Sequence, residues 1–359
     1  WGYDGKALSL PLLSGGPGAT FTGSVPSGGL LSVDTDGSGA GAQQGWSTLN
    51  TEGAIGGSVI LTSQAGVQAP SEVALPLIAS PSRNLMIPFD ETGASVPRTT
   101  TVALTNTGTK DATAVLTFMD ESGTALPITG TVVVPANGHF SGDVGAMYPP
   151  LLGKRGVIRV SSPAALAGTA FRFNGWAYTA LPALSNVPSV SKTIPHLVNG
   201  LGWTSSIFLV NAGSQPAQFT LHFYGSDGNP VALPLGGDGT VSTLSGTLAP
   251  GQLRVIETDG SGSGIAQASA ALSASGAIGG TAIFTAPATG LQGPSEAASP
   301  LTSYPALTLY LPFEQNSDLD LSTTIELAYP GESAAKVNLS FAGAVGSALS
   351  PSAVVTIPA

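Results

Sequence analysis

Gln218-Phe219-Thr220-Leu221-His222-Phe223 decides the fold. Its apolar side chains fall on every second residue, which is the pattern of a β-strand with one face buried and one wet. The alternation returns in Lys336-Val337-Asn338-Leu339-Ser340-Phe341 and, less cleanly, in Thr113-Ala114-Val115-Leu116-Thr117-Phe118. Asp227-Gly228 and Ser122-Gly123 follow two of these copies and lead into Leu-Pro-containing segments, so each predicts a hairpin whose glycine supplies the positive φ. Asp4-Gly5 is the same turn. The preceding strands, 206–210 and 101–105, end in Asn211-Ala212-Gly213 and Asn106-Thr107-Gly108, residues that favour turns by bonding their own backbone.

Composition points the same way. The chain has 359 residues with 48 Gly and 28 Pro, which rules out a helix-dominated fold. Only 9% is charged and 42% is hydrophobic, so Ser, Thr, Asn and Gln must supply most of the wet surface. The net charge of −10 repels a phosphate backbone or an anionic membrane surface and argues against nucleic-acid partners. Cysteine is absent, which removes disulfides, thiolate metal sites and Cys nucleophiles. Mean hydropathy is +0.29, yet no apolar run approaches the ~20 residues of a membrane helix, so no membrane insertion is expected.

The chain repeats itself. Gly53-Ala54-Ile55-Gly56-Gly57 returns as Gly276-Ala277-Ile278-Gly279-Gly280, and Asp36-Gly37-Ser38-Gly39 as Asp259-Gly260-Ser261-Gly262, both displaced by 223 residues. Leu10-Pro11 with Leu233-Pro234, Phe118 with Phe341, and Pro135-Ala136 with Pro358-Ala359 keep that spacing. Inside each period, Asn106, Gly108, Phe118 and Gly123 match Asn211, Gly213, Phe223 and Gly228 at a shift of 105. Two related modules, A and B, therefore alternate, with joints at Ser80-Pro81-Ser82 and Asn186-Val187-Pro188-Ser189. The expected domains are 1–82, a partial A module lacking its first strands; 83–190, a complete B module; 191–303, a complete A module; and 304–359, the first strands of a B module. With Trp1 at the start and no leader, the chain reads as a window on a longer A-B-A-B array.

Further strands are expected at 131–134, 156–161, 168–173, 247–256, 265–272 and 280–285, and no helix. About seven strands with frequent turns predict an immunoglobulin-like sandwich without the Cys and Trp of antibody domains. The fold class is all-β, an alternating A-B array of tandem sandwiches with a 223-residue period. Ile194-Pro195-His196, Gly202-Trp203-Thr204-Ser205-Ser206-Ile207, Leu209-Val210-Asn211 and Asp227-Gly228-Asn229-Pro230 resemble the tandem β-sandwich repeats of large secreted bacterial surface proteins. That resemblance implies an extracellular scaffold and brings no catalytic residues. Module B departs from it, with Phe89 in place of His196 and no Trp matching Trp203.

Little else in the sequence carries chemistry. His222 on a polar strand phase and His139 beside Asn137-Gly138 read as solvated, and His196 as a packed structural histidine. No two of them share metal-ligand spacing. No G-x-S-x-G elbow is present, and the carboxylates Asp90-Glu91, Glu314, Asp318 and Asp320 read as loop solubilisers. Asp259-Gly260-Ser261-Gly262-Ser263-Gly264 lacks the Lys of a phosphate loop. The candidate metal ligands are Asp34 and Asp36, with their repeats Glu257 and Asp259, because oxygens at alternate positions beside a turn glycine open calcium loops. A plain surface turn is the competing reading, since no closing bidentate acid follows. Pro70-Ser71-Glu72 and Pro294-Ser295-Glu296 recur, and the Glu is expected to bond backbone amides at a strand end. Trp1, Trp46, Trp176 and Trp203 are scattered, with Trp176 and Tyr178 placed side by side on one strand face, and Asn338-Leu339-Ser340 is a formal sequon inside a strand.

The functional expectation is a secreted, non-enzymatic cell-surface stalk or extracellular filament. Its partners are neighbouring copies or the continuing repeat chain, joined head to tail. The alternatives are an adhesin whose A modules bind carbohydrate or calcium, and the accessory region of a large secreted hydrolase.

Overall fold

The computed structural model describes the chain except for residues 14–15, 39–42, 64–70, 79, 94–95, 290–292, 302–306, 310, 312, 314–322, 330, 332 and 359. Pro70, Glu314, Asp318 and Asp320 therefore lie outside the described residues. Regular structure is nearly all β, in several sheets. The described helical pieces are α1 (Val144–Met147), capped by Asp143 through the Ala146 N–H, and a 3-10 turn at Pro149–Leu151.

Strands β1 (Ser58–Ser63) and β2 (Ser71–Pro76) form a hairpin. A first sandwich follows from β3 (Ser82–Asp90), β4 (Arg98–Asn106), β5 (Ala112–Asp120), β6 (Ala125–Val134), β7 (His139–Asp143), β8 (Arg155–Asn174) and β9 (Ala177–Pro182). Strand β8 serves both sheets. Residues 155–161 lie between β5 and β3, with β6 beyond β5. Residues 166–174 lie between β4 and β9, with β7 beyond β4. The change of sheet falls around Ser162-Pro163, where proline has no N–H to give a ladder. One bent strand thus stands where two separate strands were expected.

A second sandwich is built from β10 (Lys192–Asn199), β11 (Thr204–Asn211), β12 (Ala217–Gly225), β13 (Leu233–Leu235), β14 (Gly239–Val241), β15 (Thr243–Leu248), β16 (Leu253–Glu257), β17 (Ala266–Ala274), β18 (Ile278–Ala286) and β19 (Ser295–Pro300). Its sheets run β15-β12-β17-β10 and β16-β11-β18-β19. This is the strand order of the first sandwich, with β17 and β18 replacing the two parts of β8. Two details differ from expectation. The 247–256 strand is broken by a turn at Ala249–Gln252 into β15 and β16. The Asp227-Gly228 turn closes as expected, with Gly228 at φ +79° and Tyr224 bridged to Pro230, but beyond Val231 the segment pairs with itself as β13 and β14, leaving β12 to pair with β15. A last hairpin, β20 (Ala335–Ala342) with β21 (Ala348–Ile357), carries the alternating copy that ends at Phe341.

The alternation that set the fold does what it implies. Phe219, Leu221 and Phe223 of β12 are buried while Gln218 is exposed, and Phe118 of β5 is buried edge-on to Phe89 with ring centres 6.2 Å apart. Burying one such side chain contributes about 1.5–3 kcal/mol. Asn106 and Asn211, both fully buried, do the same work at the ends of β4 and β11. Each accepts a bond two residues on, from the Gly108 or Gly213 N–H at 2.9 Å. Each also donates to carbonyls of two other segments: Asn106 to Lys110 and Val134, Asn211 to Gln215 and Leu248.

Strand β11 explains how the sandwiches meet. Ile207 and Leu209 point into the core of the second sandwich, whereas Phe208 and Val210 join the core of the first. Leu253 of β16 and Ile283 of β18 do the same, so this sheet is buried on both faces. The unbroken apolar run Ile207-Phe208-Leu209-Val210 is the sequence pattern of a strand covered twice.

Candidate functional site

The most developed polar site lies where the two sandwiches touch. Arg172 sits on β8 between Phe171 and Phe173, and its buried guanidinium meets two carboxylates. Its Nε donates to Asp90 Oδ2 at 2.9 Å, at the end of β3, and its Nη1 donates to Glu296 Oε2 at 2.6 Å, on β19 of the other sandwich. Asn174 Nδ2 donates to Glu296 Oε1 at 2.8 Å, and the Thr285 hydroxyl donates to the same oxygen at 3.3 Å. Burial alone would raise Asp90, but Arg172, the Thr92 hydroxyl and Arg98 outweigh it and hold the carboxyl below its ordinary value. Burial would likewise lower Arg172, but Glu296 and Asp90 raise it further. Arg172 and Asp90 are therefore held ionised, and charge-assisted hydrogen bonds to both carboxylates stand in place of lost water.

Glu91 is the exception beside it. Its Oε1 accepts the Thr100 N–H at 2.8 Å, while its buried Oε2 has no hydrogen-bond partner. Burial pushes its carboxyl up to about 7; the Thr100 N–H opposes this, and the charges of Asp143 and Asp90 add to it.

A second, more open contact crosses the same joint. Arg155 Nε donates to Glu121 at 2.9 Å in its own sandwich, and its Nη1 lies 3.7 Å from Glu257 of the other. Between the sandwiches lies a cleft of about 270 Å³ lined by Met86, Arg159, Ala212, Gly213, Ser214, Pro250 and Gly251, in which Arg159 is the one titratable side chain.

The expected site residues are placed apart from any common centre. Asp36 and Asp259 close their own turns, accepting the Ser38 and Ser261 N–H at 2.7 and 2.8 Å, and those serines hold both carboxyls below their ordinary values. Their backbones are anchored alike, to Pro11 O and Pro234 O at 3.0 Å. Asp34 accepts the Ser32 hydroxyl, and Glu257 accepts that of Ser206 at 3.3 Å. Among the described residues, no group of three His, Cys, Asp or Glu converges to hold a metal ion.

Glu296 does not bond strand-end amides, as was expected of it; it reaches an arginine of the neighbouring sandwich. Its repeat Glu72 is exposed and keeps the smaller part of the pattern, accepting the Thr62 hydroxyl at 3.0 Å. His139 is buried rather than solvated, because Tyr3 stacks on it at 3.9 Å, and burial lowers its pKa. His196 packs edge-on against Phe284 with ring centres 5.0 Å apart, its Nδ1 3.9 Å from Glu326. His222 Nδ1 lies 3.1 Å from the Thr243 hydroxyl. Trp176 is 60% exposed at the β8–β9 turn, whereas Tyr178 is buried and donates to Leu61 O at 2.7 Å, so the two do not share a face. Arg172 went unread in the sequence, although an arginine between two phenylalanines, in a chain with 11 basic residues, was a signal. No family model, no curated protein and no solved structure matches this chain.

Proposed function

We propose that this chain is a structural, non-enzymatic part of an extracellular repeat protein, built from alternating immunoglobulin-like A and B sandwiches with a 223-residue period and forming a cell-surface stalk or filament. One observation carries the reading: the joint between the complete sandwiches is a core. Phe208, Val210, Leu253 and Ile283 leave water against the first sandwich, and the Arg172–Glu296 pair closes beside them. A flexible tether of independent domains would keep this sheet face polar. A rod that must hold its direction gains from burying it.

The low charge, the Ser/Thr/Gly-rich surface and the sequence repeat support the same reading. Carbohydrate recognition is the second reading, moved from the A modules to the first, B-type sandwich by its exposed Trp176. Cell fractionation with a glycan array separates them. A structural element appears in the surface or medium fraction and binds no glycan. Saturable glycan binding abolished by Trp176→Ala establishes the adhesin, and a cytosolic protein refutes both.

A further inference from the structure

Three turn-on-turn contacts in this chain are built alike. In the joint between the complete sandwiches, the β5–β6 turn glycine Gly123 (φ +83°) faces the β15–β16 turn, and a Cβ there would come within 3.0 Å of Pro250 O and Gln252 N. Gly5 (φ +72°), in the Asp4-Gly5 turn, faces the β6–β7 turn, where a Cβ would collide with the Ala136 carbonyl oxygen; Trp46 Nε1 reinforces that contact by donating to Asn137 O at 2.9 Å. Gly346 (φ +78°), in the β20–β21 turn, faces 26–30, where a Cβ would come within 2.6 Å of Ser27 O, and Leu30 N donates to Ala344 O at 3.0 Å. Each glycine is left-handed and pressed on backbone, so no other residue fits. Gly346 lies 223 residues after Gly123, and Ser27 223 before Pro250.

We propose that the third contact is an exchangeable joint: the 343–346 turn of one copy docks on 26–30 of a second copy, through the contacts it makes here within one chain. This deepens the structural reading above and rests on it. The first two contacts join units adjacent along the chain, whereas the third joins segments more than 300 residues apart. A contact between such distant segments has the same atoms whether made within a chain or between chains, so concentration selects the form. The hairpin carrying it is a two-stranded sheet, which is weakly held on its own and can leave one site for another. Repeated head to tail, the joint extends a filament instead of closing on itself.

The absence of native cysteine makes the test specific. A Leu30→Cys chain and an Ala344→Cys chain are mixed with a short bismaleimide at rising protein concentration. The proposal expects a mixed dimer to rise at least tenfold over either chain alone, and the Leu30→Cys/Ala344→Cys double variant to shift from an internal cross-link to a ladder. Gly346→Val should abolish both products while the melting of the complete sandwiches stays unchanged. No mixed dimer at any concentration overturns the proposal, as does cross-linking that persists through Gly346→Val. Fibres that form without this cross-link keep the structural reading and refute this joint alone.

Discussion

Replacing Arg172 by Met probes the joint where its energy is concentrated. Methionine keeps most of the side-chain volume, so the space at the joint stays filled, but Asp90 and Glu296 lose bonds of 2.9 and 2.6 Å while remaining buried. Removing one partner from a buried ion cluster costs about 3–5 kcal/mol, because the remaining charges keep their desolvation penalty. The pH dependence follows in sign. Asp90 is held below its ordinary value in the native wild type, so its stabilisation is present above the unfolded carboxylate pKa and is lost as pH falls through its native value. In the variant Asp90 loses the Arg172 charge and accepts a proton more readily, so the wild-type advantage is full at pH 7 and shrinks below about pH 4. Urea denaturation followed by circular dichroism and Trp fluorescence reads this out: one cooperative transition for the wild type, and a lower midpoint for Arg172→Met. Adding Glu296→Leu and Asp90→Asn should recover most of the loss. A loss under 1 kcal/mol at pH 7, or an equal loss at pH 3 and pH 7, would refute the idea that the cluster locks the joint.

Phe223→Ala should cost about 3–5 kcal/mol and melt the second sandwich first, seen as an early step in calorimetry. Glu91→Gln should stabilise the protein by up to about 3 kcal/mol at pH 8 and by nothing below pH 4.5. Here the native carboxyl is raised from 4.5 to about 7, so the wild type loses stability as pH rises through that window and the amide does not; parallel pH–stability curves for the two proteins would contradict it. Asn211→Leu strands the Gln215 and Leu248 carbonyls and the Gly213 N–H and should lower stability by about 2–3 kcal/mol, with Asn106→Leu matching it; an unchanged urea midpoint for either would deny the asparagines this role.

How much was legible depended on whether the signal was local. The alternation at 218–223, the Gly123 turn and the bonds that Asn106 and Asn211 accept from Gly108 and Gly213 are local, and they stand in the structure in the predicted roles; the asparagines' further bonds to Val134 and Leu248 are not local and were not read. Continuity was harder to read: Ser162-Pro163 bends β8 without ending it, while the matching Ser275-Gly276 separates β17 from β18. The joint itself was missed because its partners are distant, with Glu296 lying 124 residues beyond Arg172. The recurrence of Glu72 and Glu296 showed that a glutamate was needed there, but not that an arginine from another sandwich would meet it. His139 was misread for the same reason, since the ring that covers it belongs to Tyr3.

The central claim is that this chain builds an extended structural element. Electron microscopy of the purified protein across a concentration series tests it most directly. The account predicts unbranched fibres at high concentration whose axial repeat matches the length of one copy of the chain. Discrete particles of constant size at every concentration would contradict it.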